Sequence, residues 1–155
     1  MEAYETALNE LAIQNALQWK LEDQSRIDIS SQDWEQSSNT KASIDESNRK
    51  RTALINHIDE IGRGWYQTDF LDRSESITYV GLSIGQICDL VTITALRLSH
   101  ATLDSDRIDV LARYEYFTTC LTKTLRGILA GTVALPPGGV SKVYNDKAKE
   151  SSNET

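Results

Sequence analysis

Two prolines and eight glycines are all that this chain of 155 residues has to interrupt its backbone. So few breakers leave room for long continuous elements. Positive charge is also in short supply: 16 Lys and Arg face 23 Asp and Glu, a net charge of −7. A broad nucleic-acid footprint needs the opposite balance, although a few local arginines can still hold a small anionic ligand. No apolar run approaches the roughly 18 residues of a membrane span. The opening residues MEAYETALNE are acidic and lack a signal-peptide core. The expectation is a cytoplasmic protein that engages neither membrane nor nucleic acid directly.

Cysteine and histidine occur twice each. Cys88 and Cys120 fall inside apolar helical patterns, as buried small hydrophobes rather than a disulfide. His57 and His100 belong to different helices and read as surface or packing residues rather than metal ligands. There is no glycine-rich phosphate loop after a strand, no Cys-x-x-Cys and no serine elbow. Gly62-Arg63-Gly64 is too short for a phosphate cradle and reads as a helix stop.

What is present is helical periodicity. The pattern predicts helices over about 3–28, 34–61, 75–102 and 106–130, with Ser30-Ser31-Gln32-Asp33 as a capped turn and Gly131 as a C-terminal glycine. The segment 65–74 reads as an aromatic and charged loop. The third helix is apolar on nearly every face and so must be buried nearly all round, as a central helix or at a subunit interface. Together these features predict an all-α fold of four main helices, one domain over 1–146, and a homodimer. After Pro136-Pro137-Gly138-Gly139 the chain reads as an extended strap ending near Asp146, and 147–155 as a disordered polar tail.

Polar residues occupy positions where the helices should be apolar. Tyr4, Leu8, Leu11, Asn15, Trp19, Glu22 and Arg26 share one stripe of the first helix, within about 60° of one line. Ile44, Asn48, Arg51, Ile55 and Ile58 do the same on the second, with Asp45 and Asp59 at the edge. Burying such groups unpaired costs several kcal/mol. They must satisfy one another or line a polar pocket.

The same positions carry a resemblance. Trp19, Glu22-Asp23 and Arg26 form a first block, preceded by Asn15. Ile44-Asp45, Asn48, Arg51 and Ile58-Asp59 form a second. Asp89, Leu90, Thr92, Ile93, Leu96, Arg97, Leu98 and His100 form a third, and Lys142, Tyr144, Asn145 and Asp146 close the series. In this order they resemble a family of bacterial all-helical domains of unknown function, and more narrowly a branch regarded as receptors for cyclic di-GMP. Arg49 and Thr52 depart from the family pattern, which has Gln and Asn there. The resulting basic run Arg49-Lys50-Arg51 favours an anionic ligand.

The resemblance implies a non-enzymatic receptor that signals through a protein partner, such as a transcription factor. Arginine pairs with phosphate, stacks on bases and reads guanine O6 and N7. Arg51 and Arg26 are therefore the expected phosphate or guanine contacts, with Arg63 beside them. Trp19 would stack or wall the pocket, Asp23 and Asp59 would hold the arginines or read guanine, and Asn48 would bridge the first two helices. Two alternatives use the same residues. An internal arginine–carboxylate network could merely fix helix register. Alternatively, Glu22, Asp23, Asp45, Asp59 and Asp89 could gather around Mg²⁺ in a nucleotide pyrophosphohydrolase. Against the latter, Glu22 and Asp23 are adjacent, so only one points squarely inward.

Overall fold

A computed structural model describes residues 2–65, 78–79 and 81–134. Its four helices are α1 (Glu2–Ser30), α2 (Trp34–Trp65), α3 (Ile84–His100) and α4 (Asp104–Ala130). Two-residue strands β1 (Thr78–Tyr79) and β2 (Val133–Ala134) pair in parallel, Thr78 opposite Val133. The fold is all-α, and no described helix is long and apolar enough to cross a membrane. The expected strap, including Lys142, Tyr144, Asn145 and Asp146, lies outside the described residues, as do the tail and all but the start of the 65–74 loop.

α1 and α2 form an antiparallel hairpin around a three-residue turn. Asp33 caps α2 by accepting the Gln36 backbone N–H at 3.0 Å. Buried Asp28 closes the hairpin: it accepts from Thr40 Oγ1 at 2.7 Å and from Gln24 Nε2 at 2.6 Å. α3 touches all three other helices, as a central helix should, whereas α4 packs chiefly on α3. The core is a single cluster of Tyr4, Ala7, Leu11, Ile58, Ile84, Cys88 and Ile128, with Trp65 packed against it.

Two expected boundaries move. α2 does not stop at Gly62-Arg63-Gly64 but runs on to Trp65. Helical glycine costs about 1 kcal/mol, yet Gly62 is buried and Trp65 packs on Tyr4, ring centroids 5.2 Å apart. Tertiary contact outweighs propensity there. α3 begins nine residues later than its apolar period suggests. Ser83 and Gln86 form a capping box that fixes its start, and the chain upstream pairs with β2 instead. Burial of α3 on every side is confined to its first half: Ile84, Gly85, Ile87, Cys88 and Asp89 are buried, while Ala95, Arg97 and His100 are exposed. Gly131 does end α4, in the left-handed region at φ 68°, with Thr132 and Gly131 N–H groups returning to the Gly127 and Ile128 carbonyls.

Candidate functional site

α3 runs beside α1 in the same direction. Tyr4 meets Cys88, Asn15 meets Asp89 and Thr92, and Trp19 meets His100. The spacing explains the alignment. Asn15, Gln18, Trp19 and Glu22 recur at three- and four-residue intervals on α1, and Asp89, Thr92, Ile93, Leu96, Arg97 and His100 do so on α3.

A buried carboxylate organises the junction. Asp89 receives Arg51 through two parallel bonds, Nε to Oδ1 at 2.7 Å and Nη2 to Oδ2 at 2.5 Å. Asn15 Nδ2 adds a third at 3.1 Å and also donates to Thr92 Oγ1 at 2.7 Å. The Thr92 hydroxyl in turn donates to the Asp89 carbonyl at 3.0 Å. A buried charge is tolerated only when paired and hydrogen-bonded in this way.

Above the junction lies a cleft of about 260 Å³, walled by Asn15, Gln18, Trp19, Glu22, Arg51 and Arg97, with Ile93 and Leu96 also lining it. A second cavity of about 360 Å³ opens on the other side, towards α4. It shares Trp19 and Arg97 and adds His100, Asp106, Asp109 and Arg113. Trp19 and His100 are stacked, centroids 5.1 Å apart and planes 11° from parallel. Arg113 pairs with Asp109 at 2.9 Å, whereas Arg97 has no ion-pair partner among the described residues. Gln18 is 8 % exposed; its amide N–H reaches Glu22 at 3.0 Å, but its buried carbonyl oxygen has no hydrogen-bond partner. A larger groove of about 730 Å³ runs along the hairpin past Leu17, Leu21 and Ala42. Its polar groups are largely paired already, Gln14 with Ser47 and Glu46 with Lys50.

Some of the residues singled out from sequence converge here and others do not. Trp19 and Arg51 meet at the cleft, but Arg51 is committed to Asp89. Arg26 and Asp23 are exposed and pair with each other across one turn of α1 instead of entering the cleft. α3 ends beside Trp19, so no third helix covers Arg26 two turns further on. Asn48 is half-buried one turn before Arg51 and lines neither compartment. Arg63 sits in the last turn of α2, about 18 Å along the helix from Arg51. Asp59 is buried and serves α3: its Oδ1 accepts the Gly85 N–H at 2.7 Å, an anion at a helix N-terminus, while Oδ2 has no partner.

The five carboxylates weighed for Mg²⁺ are dispersed. Asp23 and Asp45 are exposed, Asp59 caps α3, Asp89 holds Arg51, and Glu22 accepts from Gln18. No group of three or more His, Cys, Asp or Glu converges among the described residues. Missed were Gln18, Arg97 and His100 as cleft walls. The signal was present in the third block, whose polar members fall on one helix face.

Beneath the junction, Tyr4 Oη and Cys88 Sγ lie 3.2 Å apart in the core. Burial pushes the Cys88 thiol up to about 11, with the Asp59 and Asp89 charges adding to the rise and the Tyr4 hydrogen bond opposing it. Burial likewise raises Tyr4 well above the usual phenol range.

Residues 5–126 match the family model described as Protein of unknown function (DUF4254). The chain belongs to the DUF4254 family. No match to it was found among curated proteins or among solved structures. All of the site just described, from Tyr4's neighbours to Arg113, falls within or at the edge of the DUF4254 region.

Proposed function

We propose that this DUF4254 protein is a receptor for a nucleotide-class second messenger, cyclic di-GMP, bound in the double cleft around Trp19 and Arg97. The supporting observation is a flat aromatic stack beside an arginine that has no ion-pair partner among the described residues. An indole face suits a purine, and a guanidinium suits a phosphate or a guanine edge. The two compartments on either side of Trp19 favour a ligand with two separate bases. Carboxylates accept from guanine N1 and N2, and Asp106 stands on the α4 wall for that role. The Gln18 carbonyl supplies a further acceptor at the inner end.

The contact set differs from the one expected from sequence. Arg97 takes the role assigned to Arg26, and Arg51 acts by holding Asp89 beneath the ligand. Binding that draws α1, α3 and α4 together would then be read by a protein partner, such as a transcription factor, through a shift in helix packing.

Calorimetry tests the reading, with cyclic di-GMP, cyclic di-AMP, and GTP plus Mg²⁺ in separate cells. Saturable binding of cyclic di-GMP, lost in Arg97→Ala at unchanged helical content, is the expected result. Absence of binding in the wild type, or full affinity in Arg97→Ala, overturns it.

A further inference from the structure

α4 is underused by the chain that carries it. Of its 27 residues only Thr124, Gly127 and Ile128 are buried. Ile108, Leu111, Tyr116 and Leu129 on the helix, and Leu103 at its cap, are exposed by 40 % or more. The side turned to α3 is the stripe through Val110, Tyr114, Phe117, Leu121, Thr124 and Ile128. The opposite side carries Ile108, Ala112, Glu115, Thr119, Arg126 and Ala130, all exposed. An exposed helix face that carries Ile108, Leu111 and Leu129 among its polar residues, and that no described element covers, is the kind of surface that another protein covers.

The charges say which protein. On the outer face, Asp104 and Glu115 stand in the first half of α4, whereas Lys123 and Arg126 stand in the second. A helix that is acidic at one end and basic at the other is complementary to itself when reversed. We infer that the outer face of α4 is a homodimer interface, in which two copies of the helix pack antiparallel about a two-fold axis near Thr119.

The register follows from helix geometry. Glu115 and Lys123 lie four residues either side of Thr119, so each Glu115 faces Lys123 of the second copy. Ala112 and Arg126 lie seven either side, and Ile108 and Ala130 eleven. Small Thr119 and Ala112 allow close approach near the centre, and the larger Ile108 and Leu129 fill the ends. Opposed helix dipoles add to the pairing. An isologous contact of this kind closes on itself and does not propagate. It leaves free the side of α4 on which Asp106, Asp109 and Arg113 line the cleft, so dimerisation and ligand binding do not compete.

Sedimentation and light scattering on the full chain test this. The wild type is expected at twice 17.4 kDa. Lys123→Glu places two acids opposite each other at both ends of the crossing and shifts the protein to monomer. Adding Glu115→Lys to the same chain restores opposite charges and brings the dimer back. Both positions are exposed, so circular dichroism should be unchanged throughout. A monomeric wild type overturns the inference. So does a dimer indifferent to Lys123→Glu, or one that the second substitution fails to restore, since parallel pairing would bring like residues together.

Discussion

Arg51 of α2 grips Asp89 of α3 through two bonds, while Asn15 of α1 reaches the same carboxylate from the other side. Three helices thus share one buried charge. Removing the guanidinium strands that charge in the core with a single amide donor.

Arg51→Ala should therefore destabilise the fold by about 3 kcal/mol. Arg51→Lys should recover only part, because an ammonium cannot make the paired contact. Urea denaturation measures both. Wild-type stability in Arg51→Ala would show that the ion pair contributes nothing.

Arg97→Ala should behave in the opposite way. The side chain is exposed and not ion-paired within the described structure, so the denaturation midpoint should stay within about 0.5 kcal/mol of wild type. Affinity for cyclic di-GMP should fall at least tenfold, the worth of about 1.4 kcal/mol. Trp19→Ala should weaken binding and stability together, because its ring also packs on His100.

Gly85 and Gly64 make a matched pair. A Cβ on Gly85 would stand 2.2 Å from the Ile55 carbonyl oxygen, a backbone atom that cannot swing aside. Gly85→Ala should cost about 2–3 kcal/mol. Gly64 has nothing within 4 Å of the same position, so Gly64→Ala should stabilise α2 by up to about 1 kcal/mol. Thermal melts of the two variants should move in opposite directions.

Alkaline pH should loosen the core. The Cys88 thiol titrates near 11 when folded and near 9 otherwise. The folded state therefore holds the proton more tightly, and this stabilisation is complete below pH 9. It is lost as pH rises from 9 to 11, by up to about 3 kcal/mol. Stability measured across that window should fall in the wild type and fall less in Cys88→Ala. At pH 8 a thiol reagent should label Cys120 quickly and Cys88 only on unfolding, since Cys88 is buried and Cys120 partly exposed.

The helical class, the hairpin turn and the Gly131 cap were legible because each has a local cause: apolar period, Asp33, a left-handed glycine. The need for polar residues on the Asn15 and Arg51 stripes to find partners was legible too. Their partner was not, since nothing in α1 or α2 says that α3 delivers Asp89 to both. Arg26 continues the Trp19 stripe in sequence, and only the length of α3 leaves it in solvent. Gly62 and Gly64 look like punctuation until Trp65 is seen against Tyr4. The start of α3 was readable from Ser83-x-x-Gln86, but Ile77 and Val80 extend the apolar rhythm past it.

The pairing of β1 with β2 is a long-range closure, unlike the α1–α2 hairpin. The hairpin of α1 and α2 closes over three residues and holds Asp59 near its far end, where it caps α3. Thr78 meets Val133 across the whole length of α3 and α4. That closure spans a loop of roughly fifty-five residues, an entropic cost the first hairpin never faces. That seam, two residues long, ties the end of α4 to the segment ahead of α3, and under stress it should part while the α1–α2 hairpin still stands.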